Sequence, residues 1–487
     1  MVSDYAITEY PDTAEIYEKI RKLLQFPPYH FKKSVMKQYL DFFEHKCTKS
    51  KSIITEAKKY IPGGVQHNLA FNYPFPIVVE KAEGAYLYDI DGNQYIDFLQ
   101  AGGPTLLGSN YKPVQEKVID VIKDCSPVTG LFHEFELKLA KEINKNMPAI
   151  EMFRMLGSGT EADMAAIRIA RLATKKKKII KMGGAYHGWS DQLVYGLHLP
   201  KTGRFEAHGI PASCSKHTQE VFPNDIDALE RKLKLNKLRG GTAAVLLEPI
   251  GPESGTLPIS KDYNKQAREL CDKYGVLLIF DEVVTAFRLG MGGAQGYFNV
   301  KPDLTVFGKI VAGGYPGAGG VGGRSDLISL VAAGVESGKK RAYVGGTLSA
   351  NPISTAAGYY SIKEIERTDA AIKAGKAGDR ITQGLQKIIE QYNLPFVVYN
   401  QGSICHLETV GTMFLKVNYL KILKILKEIK IRKQTMEEYG AAYMAEGMVT
   451  LAGSRLYTSM ADTPEIIDDA LGKFDKIFQN IEVSNLN

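Results

Sequence analysis

The sequence predicts an α/β protein: a large domain built on a mostly parallel sheet with helices on both faces, and a smaller α+β domain. Three observations predict it. Between about residues 113 and 351, short apolar runs alternate with helix-length amphipathic segments. Runs such as AAVLL (Ala243–Leu247) and VLLIF (Val276–Phe280) are apolar at every position, as strands covered on both faces are. A chain of 487 residues is also long enough for more than one core.

Taken in order, residues 1–50 are polar, aromatic and lysine-rich, with a helix over Thr13–Leu24. They read as an N-terminal extension that packs on the body or on a partner subunit. Residues 51–112 form an N-terminal segment of the small domain. A helix runs from Ile53 to Pro62, the loop GGVQHNLAF follows, and IVVEKAEGAYLYDIDGNQYIDF alternates around the turns Glu83-Gly84 and Asp91-Gly92 as an antiparallel meander. Residues 113–351 form the large domain. Its helices fall at Pro113–Lys123, Phe132–Asn146 and Thr160–Thr174, and its strands at Met152–Leu156, Lys178–Met182, Ala243–Leu247, Val276–Phe280 and Leu304–Phe307. Residues 352–487 form the C-terminal small domain, entered by a helix at Pro352–Arg367 and alternating helices and short strands to Ile481.

The composition narrows the class of function. Hydrophobic content of 44% and charged content of 24% are those of a soluble globular chain. The net charge of +7 is spread along the chain rather than gathered on one stripe, which argues against a nucleic-acid partner. Lys175–Lys178 follows a helix, where cations complement the negative end of the dipole. The stretch Lys421–Lys433, KILKILKEIKIRK, is a basic amphipathic helix whose Ile/Leu face packs on the small domain. Five scattered cysteines offer no zinc-ligand spacing, so no metal is expected and the thiols read as reduced. The N-terminus carries acids and no apolar core, and no run of about 18 apolar residues exists. No membrane partner and a cytoplasmic location are therefore expected.

Chemistry concentrates in Val276–Gly323. Asp281 follows one apolar run and Lys309 follows the next, after Gly308. In open α/β sheets, ligands bind beyond the carboxyl ends of the strands, so two neighbouring strands present both residues to one crevice. The pair suits pyridoxal phosphate: a lysine amine condenses with the aldehyde, and an aspartate keeps the ring nitrogen protonated. A surface lysine and a helix-capping aspartate would look the same in isolation, so the neighbouring motifs matter. In LGSGTEADMAAIRIARLAT (Leu156–Thr174), a glycine turn leads into a helix with one apolar face at Ala162, Ala166, Ile169, Ala170 and Ala173. Ser158, Gly159, Thr160 and the first helical amides suit a phosphate, or else an ordinary cap. No P-loop lysine is present, which excludes a nucleoside triphosphate site of that kind. MGGAYHGWSD offers Tyr186 to stack on a flat ring and His187 to steer substrate; VLLEPIGPESG places Glu248 at a strand end; YVGGTLSANP offers Thr347 as a second phosphate contact or a turn.

The ordered set GSGTEA, GGAYHG, EP-x5-G, FDEVVTAFR, PDLTVFGK and GGTLSANP resembles the class-III aminotransferases of fold type I, which are pyridoxal-phosphate-dependent. It is most similar to the glutamate-1-semialdehyde aminomutases and β-amino acid transaminases, through GGAQ, PDLT-x-x-GK and GGR, over roughly Ile53–Ile481. The resemblance implies that Lys309 is the Schiff-base lysine and proton carrier, and that Asp281 pairs with the pyridine nitrogen. Val283 and Tyr186 would cover the two ring faces. Ser158, Gly159 and Thr160 would hold the phosphate, and Thr347 would reach a phosphate across the interface of a homodimer with shared sites. His187 and Glu248 complete the implied cofactor set. Where the aminomutases carry GGVNSPVRAF, with an arginine for the substrate carboxylate, this chain has Leu69; where they carry a histidine after YHG, it has Trp189. Arg455, in TLAGSRLYTSM, stands near the C-terminal arginine that related transaminases use, and guanidinium suits a carboxylate. Two activities follow from the resemblance: transfer of an amino group from a β- or ω-amino acid or amine to an oxo acid, or isomerisation by an aminomutase or racemase. The intact Asp281/Lys309 pair argues against a third possibility, a non-catalytic binding protein.

Overall fold

The computed structural model describes residues 4–125, 128, 130–334, 340–415, 417 and 422–482. The chain divides into two compact units: Met1–Ala6 with Lys112–Ile372, and Ile7–Tyr111 with Lys373–Asn487.

The first unit is built on seven strands, here β1 (Met152–Leu156), β2 (Lys178–Met182), β3 (Thr218–Val221), β4 (Thr242–Leu247), β5 (Leu277–Asp281), β6 (Leu304–Gly308) and β7 (Gly319–Gly323). Their order in the sheet is β1-β7-β6-β5-β4-β2-β3. The pairs β3–β2–β4–β5–β6 are parallel, and β7 runs antiparallel to both β6 and β1. Every residue of β4 and β6 is buried. Alternate side chains feed two cores: Leu246, Ile279, Leu304 and Val306 on one face, and Val245, Leu247, Leu278 and Phe280 on the other. The mostly parallel sheet read from the sequence is thus present, and all five expected strands lie within a residue of their expected limits. Two strands were not expected. Thr218–Val221 lies at the sheet edge, between short polar segments. Gly319–Gly323 is glycine at four of its five positions, and a Cβ on Gly320 or Gly322 would collide with Phe153 or Ile150. Glycine there lets neighbouring chains close over a strand that has almost no side chains of its own.

The helices that matter for the site are α1 (Lys112–Cys125), α2 (Glu134–Asn146), α3 (Gly159–Thr174), α4 (Ile226–Lys237), α5 (Tyr263–Tyr274) and α6 (Pro352–Thr368). Ser158 caps α3 by accepting the Glu161 N–H, and Lys175 ends it in the left-handed region. Of the apolar stripe expected on α3, Ala162, Ala166, Ile169 and Ala170 are buried and Ala173 is exposed. Asp163 shares the buried side of the helix.

In the second unit the expected meander is present, as Val79–Glu83, Tyr86–Asp89 and Gln94–Asp97, joined by Met448–Val449. The helix expected to end at Pro62 instead runs Thr48–Ala57, followed by single turns at Pro62–Gly64 and Asn68–Ala70. Residues 7–46 pack on their own chain. His30–Phe31 pairs with Ile481–Glu482. Arg432, which is buried, donates to the carbonyls of Val410 and Phe26 at 2.6 and 2.9 Å. It lies on the helix Ile422–Ala445, which contains the described part of the basic stretch; Lys421 lies outside the described residues.

Asp97 ends its strand buried, and its Oδ1 accepts the N–H groups of Leu99 and Gln100 at 3.1 and 2.7 Å. Burial nonetheless pushes its carboxyl up to about 6. A carboxyl raised in the folded state favours folding most below its unfolded value, and that contribution is lost as pH rises through the folded one. Asn keeps the accepting oxygen without the charge. D97N is therefore expected to match the parent Tm near pH 4 and to exceed it by about 2–4 °C at pH 7, a comparison that differential scanning calorimetry at both pH values makes directly.

Candidate active site

Register decides what the sheet presents at its carboxyl end. β5 and β6 are adjacent, with Asp281 opposite Val306, so Lys309 leaves the sheet three residues beyond that pair. Leu247 pairs with Phe280, which sets Glu248 level with Asp281. Lys309 begins a tight turn with φ +49, a left-handed conformation rare for a residue with a side chain. Such strain is held where surrounding structure over-determines it, and functional sites are where it collects.

Asp281 is 6% exposed. Its Oδ1 accepts the Val283 N–H at 3.0 Å, and its Oδ2 lies 2.7 Å from His187 Nδ1. His187 is buried, and burial lowers its pKa against the opposing pull of Asp281. A neutral imidazole beside a carboxylate carries its proton on the nitrogen facing it, so Nδ1 donates. His187 Nε2 is buried without a partner among the described residues. Asp163 joins this group: one oxygen each of Asp163 and Asp281 and one ring nitrogen of His187 lie within 4.8 Å of one another.

The glycine turns are close-packed around these groups. A Cβ on Gly159 would come within 2.9 Å of Val283 Cγ2, and one on Gly308 within 2.7 Å of Val283 Cγ1. The Val283 isopropyl group therefore fills the space between the cap of α3 and the approach to Lys309. A Cβ on Gly188 would collide with Thr160, so the Tyr186–Gly188 turn rests on the first turn of α3. Ser158, Gly159, Thr160, Tyr186, His187, Glu248, Asp281, Val283 and Lys309 are thus gathered at one end of the sheet. Tyr186 leaves about half of its side chain exposed.

Glu248 acts mainly on backbone. Its Oε1 accepts the N–H groups of Tyr186 and Glu253, both at 3.0 Å, and its Oε2 accepts that of Ser254 at 2.7 Å. Two further charges, one buried and one partly buried and neither anticipated from sequence, brace the same loop. Lys181 on β2 is fully buried, and its Nζ donates to the carbonyls of Ala185, Tyr195 and Leu193 at 2.7, 3.1 and 3.4 Å. Burial pushes it down to about 8. Glu220 on β3 accepts the N–H groups of Lys201 and Gly203 at 2.9 and 3.1 Å. The signal for Lys181 was available: a lysine inside the run KIIKM breaks a strand that is otherwise buried.

Thr347 is exposed, on a segment whose Gly346 lies beside Glu161 of α3. Trp189 is 77% exposed, next to the turn that packs on Thr160. Arg455 belongs to the second unit, in the strand Arg455–Tyr457. It donates weakly to Tyr457 Oη at 3.5 Å and draws down Glu408, a buried carboxyl that desolvation pushes up to about 7.

Removing the Lys181 ammonium takes a donor from three carbonyls, of which that of Leu193 keeps the Tyr195 N–H, at about 1–3 kcal/mol for each group left unmet. K181M is expected to lower stability by about 3 kcal/mol or more. It should also loosen the loop that carries Trp189, the single tryptophan of the chain, so its fluorescence anisotropy should fall while K181Q loses less.

A buried carboxylate, a neutral imidazole, an amine on the adjoining strand end and a helix N-terminus match a ligand with a basic ring nitrogen, an electrophilic carbon and a phosphate. Comparison with known proteins agrees. Residues 69–432 match the aminotransferase class-III family. The chain is 38% identical over 363 residues, 73% of its length and 83% of the other's, to a protein of Lachnoclostridium phytofermentans named glutamate-1-semialdehyde 2,1-aminomutase 2. It is 40% identical over 347 residues, 70% of its length and 79% of the other's, to glutamate-1-semialdehyde 2,1-aminomutase of Acetivibrio thermocellus. An ω-transaminase from Sphaerobacter thermophilus superposes with a TM-score of 0.77 at 25% identity, covering 90% of this chain and 99% of that one. With family, fold and ligand chemistry in agreement, this chain belongs to the class-III aminotransferase family of fold type I, enzymes whose cofactor is pyridoxal phosphate.

Proposed function

We propose that the protein is an aminotransferase that moves an amino group between a β- or ω-amino acid, or an amine, and an oxo acid in two half-reactions. When bound, pyridoxal phosphate supplies an aldehyde carbon that amines attack and a protonated ring that draws electron density from the carbon beside the nitrogen. The roles of the side chains follow from their positions. Lys309 would hold the cofactor through its ε-amine, and that amine, when free, would serve as the base and acid that moves a proton at the substrate carbon. Asp281 keeps a negative charge against the ring nitrogen, and His187 orients that carboxylate by donating from Nδ1. Val283 and Tyr186 would cover the two faces of the ring. Ser158, Gly159 and Thr160 receive the phosphate at the positive end of α3. Glu248 keeps the Tyr186 loop in place through its backbone. Thr347, on an exposed segment, suits a phosphate contact supplied to a second copy of the chain.

The observation that carries this reading is the Asp281–His187 pair at the end of the strand next to the one that ends in Lys309. What favours transfer over isomerisation is the loop Gly63–Phe71. It contains no guanidinium, Leu69 is partly exposed, and His67 uses its Nδ1 to accept the Leu69 N–H at 3.1 Å. A second reading, an isomerase on the same scaffold, is favoured by the names of the relatives at 38% and 40% identity.

Acceptor dependence separates the two. With purified holoprotein and a panel of amines and β- and ω-amino acids, turnover is expected only when an oxo acid is added. Conversion of glutamate-1-semialdehyde, or inversion of a single amino acid, without acceptor would select the isomerase. K309A is expected to lose at least about 10³-fold in kcat, and borohydride reduction of the parent holoprotein should leave its label on Lys309 by peptide mass spectrometry.

A further inference from the structure

A carboxylate has about four lone-pair sites. At Asp281, one is taken by the Val283 N–H and one by His187 Nδ1. A ring nitrogen that brings a proton takes a third. Asp163 lies in the same group, with one of its oxygens within 4.8 Å of an oxygen of Asp281. It lies on the buried side of α3, and its Oδ1 has no partner among the described residues. Two carboxyl groups within 4.8 Å in such a place do not both ionise. We propose that Asp163 is a positioning residue of this active site: it stays a neutral acid and donates a hydrogen bond to Asp281, so that Asp281 keeps its charge for the cofactor ring. This rests on the reading that Asp281 faces the ring nitrogen.

The surrounding groups are consistent with that assignment. Burial first, then the charges of Asp281 and Glu248, push the Asp163 carboxyl well above the ordinary range, and Lys181 on β2 pulls the other way. His187, on the loop after β2, is held neutral by burial. Glu248 after β4 is itself raised by burial, Asp281 and Glu253. Tyr186 faces the charges of Glu253 and Asp281. The cluster therefore works with Asp281 as the anion, Lys181 as the cation, and Asp163 and His187 as neutral donors. An apolar residue at 163 would remove a donor; an ionised one would add a second negative charge and oppose the first.

The test uses the acid limb of cofactor retention, the pH below which the holoprotein releases pyridoxal phosphate, read from its visible absorption in a pH series. Valine is close to aspartate in volume and cannot donate, so D163V disfavours the charged form of Asp281. Its limb is expected to move up by about one pH unit, the scale of one hydrogen bond to a charged group. Asparagine still donates, so the D163N limb should coincide with the parent. If Asp163 were ionised, both variants would relieve repulsion and both limbs would move down. A residue that only fills space would lower Tm and move neither limb. Either outcome overturns the proposal. Infrared spectra give a second readout that needs no D163V protein: subtracting the D163N holoprotein spectrum from that of the parent cancels the bands of the other raised carboxyls and should leave the carbonyl stretch of one protonated carboxylic acid. A difference spectrum without that band also overturns the proposal. D281N tests the underlying reading separately. It should weaken cofactor binding at least tenfold; an unchanged D281N holoprotein would remove Asp281 from the ring, whatever the position-163 variants do.

Discussion

A charged carboxylate at the end of a buried strand has to be kept charged where water cannot help. Nearly everything around Asp281 answers that requirement. The strand that delivers it is covered on both faces, so its only route to solvation is hydrogen bonding by protein groups. One donor is local, the Val283 N–H two residues on. The other comes from His187 on a different strand's loop, and its ring must be placed within a few tenths of an ångström to serve. The precision of the loop Gly183–Gly203 is therefore a condition for the charge of Asp281.

That loop is built to be precise, and the means is ionic side chains acting on backbone. Lys181 collects three carbonyls, Glu220 two N–H groups and Glu248 three. A charged group donating to or accepting from peptide dipoles makes stronger bonds than a neutral one, and inside a protein those bonds are little screened. Each charge is fully engaged with backbone, which explains how a lysine and a glutamate can sit at or near zero exposure beside a catalytic crevice. The glycines at 159, 188 and 308 do the complementary work. They remove the atoms that would keep Thr160, Val283 and the lysine turn apart.

The second unit shows the same economy in apolar form. The N-terminal extension is not an appendage: its strand pairs with the last strand of the chain, and Arg432 fastens Phe26 and Val410 through their carbonyls. Aromatic rings of Phe31, Tyr39, Phe396 and Tyr439 meet edge to face or tilted around that junction. An extension rich in Tyr and Phe reads from sequence as unplaceable, because nothing local says which surface its rings will meet.

The sequence by itself determined the strands of the parallel sheet, the cap and turn at Ser158–Thr160, and the positions of Asp281 and Lys309. These rest on the periodicity of contiguous residues and on the chemistry of strand ends, which a short window of chain contains in full. It also carried enough ordered motifs to show the family. Only the tertiary structure decided that Gly319–Gly323 is a strand, that Lys181, Glu220 and Glu248 brace a loop, and that Asp163 lies beside Asp281. Each of those depends on which distant segment supplies the partner: a glycine run becomes a strand only between two others, and a buried charge becomes tolerable only when the fold brings the dipoles or carboxyl that answer it.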